Sequence, residues 1–200
     1  MTDQPRERLL AAARRQFCRY GYQGTGVARV LADAGVSKKT LYERFRSKDD
    51  LLRAALEREG AEWRDWLRDG LAGIGGDGRA RLLGVFDLLA DWFASEAFYG
   101  CAFINAVAEH DKLASPLVGV VDRHRNLTDA ILAPLVVDAG ARDPDRVLRK
   151  LNLLIDGAIV TAMLERHPRA ATEAKTVAAL ILDQRCEPAV PVGVSENVVG

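Results

Sequence analysis

Between Ser37 and Lys48 the chain reads SKKTLYERFRSK, and apart from the carboxylate of Glu43 its chemistry-bearing side chains are of two kinds: the hydroxyls of Ser37, Thr40, Tyr42 and Ser47, and the cations of Lys38, Lys39, Arg44, Arg46 and Lys48. Both kinds donate hydrogen bonds. Leu41 and Phe45, four residues apart, share one face of a helix, so the donors fall on the other. Ser37 is the expected N-cap of that helix. A row of charged and hydroxyl donors suits anionic oxygens and base edges in a major groove. Lys38 and Lys39 reach for either, Thr40 is a candidate for base edges, and Tyr42 and Lys48 are candidates for phosphates. A solvated basic helix would carry the same residues, so the elements that hold this row decide its meaning.

Just upstream, Val27, Val30, Leu31 and Ala34 recur at helical spacing until Gly35 breaks the pattern. Two short helices about a glycine turn form a helix-turn-helix. The glycine-rich stretch 21–26 precedes it, with Thr25 or Gly26 as N-cap, where a hydroxyl and free amides can hold a phosphate. Arg29 and Arg44 are further backbone candidates, each also free to pair with an acidic neighbour. Residues 5–20 read as a first helix with Leu9, Ala13, Phe17 and Tyr20 on one face. Ser47 to Asp50 read as a capping box opening a long helix that continues through Trp63 and Trp66 to about Leu71.

Charge supports a polyanion at this end. Over residues 1–48 there are 11 Lys and Arg against 4 Asp and Glu, whereas the whole chain of 200 residues carries no net charge. The remainder is therefore acidic, a body that keeps away from the polyanion. Cys18, Cys101 and Cys186 form no CxxC or zinc spacing, which predicts a reduced, cytoplasmic protein. No segment has signal-peptide or membrane-spanning character, so no membrane partner is expected. His110, His124 and His167 lie on separate segments without metal spacing, and no glycine-rich loop of the GxGxxG or P-loop form appears. These absences predict no enzyme, no metal and no cofactor.

The run GYQGTGVARVLADAGVSKKTLYERFRSKDDLL, in the order of its elements, resembles the DNA-binding signature of the TetR family of transcriptional repressors. Gly26 stands where that family usually has Ser or Thr, and Lys39 where small residues are common. The resemblance implies an all-α protein: an N-terminal three-helix helix-turn-helix domain, then a helical regulatory and dimerisation domain. It implies a homodimer on palindromic double-stranded operator DNA, released by a small-molecule effector. DNA contacts then fall on Thr25, Gly26, Arg29, Ser37, Lys38, Lys39, Thr40, Tyr42, Arg46 and Lys48.

Domain boundaries are expected at 1–48, 49–186 and a disordered tail over 187–200. Residues 70–78 read as a glycine-rich linker, followed by helices over 79–94, 103–110, 116–137, 144–166 and 171–184. The stretch 151–164 is apolar nearly all round, and with the helix after it either pairs with a second subunit or buries itself within one. The dimer candidates are Leu151, Ile155, Ala158, Ile159, Ala162, Val177, Ala178 and Ile181. In proteins similar to TetR an apolar cavity binds the effector, and Trp63, Trp66, Trp92, Phe103, Asn105 and Glu109 are its candidates here. The polar pairs Asn105 with Glu109 and Asn152 with Asp156 serve a pocket or bury structural hydrogen bonds. Cys101 is either a redox sensor or a small buried group. The competing functional class is a helical small-molecule carrier or enzyme with a basic N-terminal end.

Overall fold

A computed structural model of the chain describes residues 3–110 and 117–183, and every regular element among them is helical. The expected tail at 187–200, with Cys186, lies outside the described residues. The order is α1 (Gln4–Tyr20), α2 (Val27–Ala34), α3 (Lys38–Arg44), α4 (Lys48–Ala72), α5 (Gly78–Phe93), α6 (Ala102–Glu109), α7 (Val118–Asp138), α8 (Pro144–Glu165) and α9 (Arg169–Asp183).

Side-chain caps set most of the starts. Asp3, Ser37, Ser47, Asp77 and Asp143 each accept a hydrogen bond from the amide three residues on, satisfying a donor that the first turn leaves open. At Ser47 the expected capping box is altered: Ser47 Oγ accepts from the Asp50 amide, but Asp50 Oδ2 accepts from the Arg46 amide at 3.0 Å. The turn between α2 and α3 needs glycine, because Gly35 sits in the left-handed region at φ 63° while its amide bonds back to Leu31.

Two apolar cores stack along α4. The N-terminal core gathers Leu9, Leu10, Phe17, Val30, Leu41 and Phe45 with Leu51, Leu52 and Leu56 from the first half of α4. The second gathers Leu67 and Leu71 from the far half of α4 with α5, α7, α8 and α9. At 25 residues α4 is about 37 Å long and enters both. The expected linker at 70–78 is corrected accordingly. Helix α4 runs on to Ala72, α5 begins at Gly78, and Ile74 packs against the second core. Glycine content suggested a break, but Gly70 lies against Leu88, where a side chain would collide.

Candidate nucleic-acid interface and internal cavity

On α3, Lys38, Lys39 and Tyr42 are exposed, as are Ser37 just before the helix and Arg46 just after it, while Leu41 and Phe45 anchor the opposite side in the core. Thr40 is half-buried, its Oγ1 2.9 Å from Ser37 Oγ and its amide donating to the same oxygen. Among the described residues no carboxylate pairs with Lys38 or Arg46. Lys39 is within 4.0 Å of Glu43 but is almost wholly exposed. Arg29 is held with its guanidinium 4.4 Å from the Tyr20 ring centroid, and Arg44 pairs with Asp3 at 2.6 Å.

Two phosphate candidates are placed otherwise than expected. Thr25 is fully buried, and its Oγ1 lies 2.7 Å from Gly21 O and 3.0 Å from Gln16 O. Its hydroxyl therefore ties the turn to α1 and is unavailable to a phosphate. Gly26, exposed, is the N-cap of α2 without a side-chain bond. Lys48 donates from Nζ to Tyr22 O at 2.6 Å and sits 3.9 Å from the Tyr22 ring centroid. Burial there lowers its pKa, so this ammonium is first of all a strut beneath the turn. The Tyr22 hydroxyl donates to Asp49, and burial with that carboxylate beside it raises the phenol's pKa.

The second core is incompletely filled. A cavity of about 420 Å³ opens between α4, α5, α6, α7 and α8, in the size range of small-molecule sites. Trp63, Trp92 and Phe103 line it as expected, whereas Trp66 stands behind the other two tryptophans at 5.8 and 6.3 Å. Asn105 and Glu109 do not line it. Successive residues turn by about 100°, so when Phe103, Ile104, Val107 and Ala108 face the cavity, Asn105 and Glu109 face the N-terminal domain. Asn105 donates to Tyr99 O at 3.0 Å, and Glu109 Oε2 accepts from the Gln23 amide at 2.7 Å. Gly21, at φ 74°, leaves the space that Glu109 occupies.

Asn152 and Asp156 do face the cavity, but they also tie α8 to α7. Asn152 donates to Asp129 at 2.8 Å, and Arg125 pairs with Asp156 at 2.5 Å. The sequence reading missed His124 and Thr128, which complete the α7 wall. Their signal was a polar pair at helical spacing between apolar residues. The missed Gly60 is of another kind: a Cβ there would lie 3.0 Å from both Phe103 and His124. An isolated glycine inside a helical pattern is its only trace in the sequence. Burial raises the pKa of the Cys101 thiol, which favours the protonated form over the reactive thiolate.

The dimer candidates divide. Leu151, Ile155, Ala158, Ile159, Ala162 and Ala178 are buried within the single chain, and Ile155 and Ile159 also wall the cavity. Ile181 is half-buried and Val177 exposed. The face left open on α8 and α9 instead runs through Leu153, Gly157, Val160 and Leu164, with Val177 and Leu180 beside it. A helix apolar all round offers periodicity no means of choosing between its own core and a partner. Among the described residues no three potential metal ligands group together, and no helix is long and apolar enough to cross a membrane.

Residues 9–55 match the model for bacterial regulatory proteins of the tetR family. The repressor NemR of Escherichia coli is 29% identical over 129 residues, 64% of this chain and 65% of NemR. The activator FasR of Mycolicibacterium smegmatis is 29% identical over 139 residues, 69% of this chain and 62% of FasR. The chain thus spans a little under two thirds of either curated relative. The crystal structure of a tetR transcriptional regulator from Streptomyces avermitilis superposes with a TM-score of 0.73 at 32% identity, over 87% of this chain and 97% of that one. With its helix-turn-helix, an all-helical body behind it and a relative matched over nearly its whole length, the chain belongs to the TetR family of transcriptional regulators.

Proposed function

We propose that this DNA-binding regulator is a repressor that grips a palindromic operator as a two-fold dimer and lets go when a small molecule fills the cavity. The observation that carries the reading is the position of α6. One face of this short helix is cavity wall, and the other holds the turn ahead of α2 through Glu109 and Gln23. His110, at the end of α6, lies 4.5 Å from the Tyr22 ring. A molecule that moves α6 therefore moves the base of the helix-turn-helix. An effector favouring a displaced α6 weakens DNA binding by the difference in its own affinity for the two states, typically about 1–3 kcal/mol.

The DNA contacts in this reading come from Gly26, Arg29, Ser37, Lys38, Lys39, Thr40, Tyr42 and Arg46, with Lys48 supporting them from below. Units at 1–48 and 49–186 describe the division of labour, although the first half of α4 packs with the N-terminal unit. The exposed stripe Leu153, Val160, Leu164, Val177 and Leu180 is the dimer face, and two-fold symmetry sets half-sites about 34 Å apart on the duplex. NemR's designation as a repressor supports repression, and FasR's as an activator favours the opposite sign. The protein works in the cytoplasm, where its DNA lies.

A gel shift on duplex from upstream of its own coding region tests the reading. A specific complex that survives competitor DNA supports it, and only weak, salt-sensitive binding points to the carrier or enzyme alternative. Light scattering that finds monomer alone at micromolar concentration removes the dimer. A transcription assay decides the sign.

A further inference from the structure

The cavity wall on α7 presents two polar atoms, His124 Nε2 and Thr128 Oγ1, with no hydrogen-bond partner among the described residues. His124 Nδ1 lies 3.3 Å from Arg64 Nη1. A guanidinium only donates, so Nδ1 accepts and the ring hydrogen resides on Nε2. Burial, with Arg64 and Arg125 close by, lowers the imidazole pKa to about 4 and keeps that neutral tautomer at neutral pH. The ring is clamped: it stacks on Phe103 at 3.8 Å and 9°, with Trp63 edge-on at 5.7 Å. Nε2–H is thus a fixed donor with no acceptor among the described residues.

One helical turn on, Thr128 lines the same cavity with 7% of its surface exposed. Its Oγ1 is buried and has no hydrogen-bond partner among the described residues. Residues four apart share a helix face, so His124 and Thr128 act on one region of the cavity. A buried hydroxyl without a partner carries a desolvation cost that a ligand atom relieves.

Most charged groups lining the cavity have a partner of opposite sign. Arg125 pairs with Asp156 and Glu59 lies against Arg14, while Asn152 bonds to Asp129; Arg64, behind His124, faces the ring nitrogen and no carboxylate among the described residues. A charged ligand has to break one of these pairs or stay unpaired in an apolar site. A cation also meets Arg64 and Arg125 near His124, and an anion meets Glu59 and Asp156. The rest of the lining, Trp63, Trp92, Phe103, Ile104, Ile155 and Ile159, is aromatic and aliphatic.

We propose that the cavity selects a flat, uncharged aromatic molecule bearing a hydrogen-bond-accepting oxygen, held at that oxygen by His124 Nε2–H and Thr128 Oγ1–H and at its rings by Trp63, Trp92 and Phe103. The proposal rests on the reading of this cavity as the effector site and adds what the site recognises.

All three tryptophans of the chain, Trp63, Trp66 and Trp92, lie at or directly behind the cavity, so their fluorescence reports its occupancy. The full chain is titrated with 2-acetylnaphthalene, with 2-isopropenylnaphthalene (a CH2 group in place of the oxygen), with 2-naphthoate and with 2-naphthyltrimethylammonium. The ketone is expected to bind about tenfold more tightly than the alkene, as loss of one or two hydrogen bonds implies. Thr128→Val and His124→Phe are each expected to weaken the ketone about fivefold and leave the alkene unchanged, whereas Thr128→Ser keeps the preference. An alkene that binds as well as the ketone, a charged probe that binds best, a preference that survives both variants, or no quenching by any probe overturns the proposal. The comparison of ketone with alkene on the unmodified protein needs no variant to fold.

The same titrations are repeated on the complex with a duplex that the protein selects from a random-sequence pool. Ketone binding with the expected preference but without DNA release supports this proposal and overturns the effector reading. Release by every probe alike supports the effector reading and overturns this proposal.

Discussion

The N-terminal core and the second core are built from similar residues and end up with opposite properties. Around Leu9, Leu41 and Leu51 the space is filled, and the buried hydroxyl there, that of Thr25, is engaged by backbone oxygens. Around Trp63, Ile155 and Ile159 the packing stops short, leaving a chamber and a Thr128 hydroxyl without a partner among the described residues. A surface that matches the rigid geometry of a duplex needs close packing behind it. A compartment that admits a guest needs room and unspent hydrogen-bonding capacity. One chain supplies both because α4 runs through the two cores and α6 lies between them.

The sharpest way to break this contrast is to trim one side chain in each core. Leu41→Ala removes a fully buried group from a filled region and is expected to cost about 2–5 kcal/mol and to abolish DNA binding. Ile104→Ala, on the chamber wall, is expected to cost less than about 2 kcal/mol, since one of its sides already lacks neighbours. Chemical denaturation measures both, and equal losses would dissolve the distinction.

A second comparison sets two lysines of the N-terminal domain against each other. Lys38→Ala is expected to weaken binding to operator and to random duplex and to lower the salt-dependence slope by about 1, without moving the melting temperature. Lys48→Ala should reduce binding too, but with a loss of stability of about 1 kcal/mol, because Nζ donates to Tyr22 O. A Lys48 variant that melts like the wild type would return this residue to the direct phosphate contacts.

Acid should find the second core first. His124 has a folded pKa of about 4, below the ordinary value of about 6.5 that it has when unfolded. Between those values the unfolded chain takes up a proton that the folded chain refuses, so stability is lost as pH falls from about 6.5 toward 4. Thermal melts across that window should show the loss in the wild type and less of it in His124→Phe. An identical acid profile for the two would remove His124 as its source.

The smallest effect is expected at Gly26, an N-cap with φ −75° and nothing within 4 Å of a Cβ built there. Gly26→Ser should stabilise the N-terminal domain by a few tenths of a kcal/mol through a side-chain cap. It should also tighten DNA binding slightly. Unchanged binding would mean that a hydroxyl at this position does not reach a phosphate.

The contrast also explains what could be read from the sequence. Caps and turns act over three or four residues, so Ser37, Ser47 and Gly35 announced the helices that they bound, and the donors facing away from Leu41 and Phe45 announced an exposed face. The burial of Thr25 is not legible locally, because its partners, Gln16 O and Gly21 O, depend on how the turn folds back on α1. The chamber was legible only as a collection of aromatics. Its walls come from five helices, and the rotation of α6 that turns Phe103 inward and Glu109 away is set by packing. On α8 the apolar pattern continues around the helix, so the buried Leu151 and Ile155 could not be separated from the exposed Leu153 and Leu164.

Helix α6 has only eight residues, and neither of its sides is idle. Altering Ile104 or Val107 to admit a different guest risks shifting the backbone that presents Glu109 to Gln23, so selectivity and grip on DNA are not independent variables along this helix. Redesign of the chamber for another small molecule is better confined to Val121, Thr128 and Ile159, on α7 and α8, which can change without disturbing that handle.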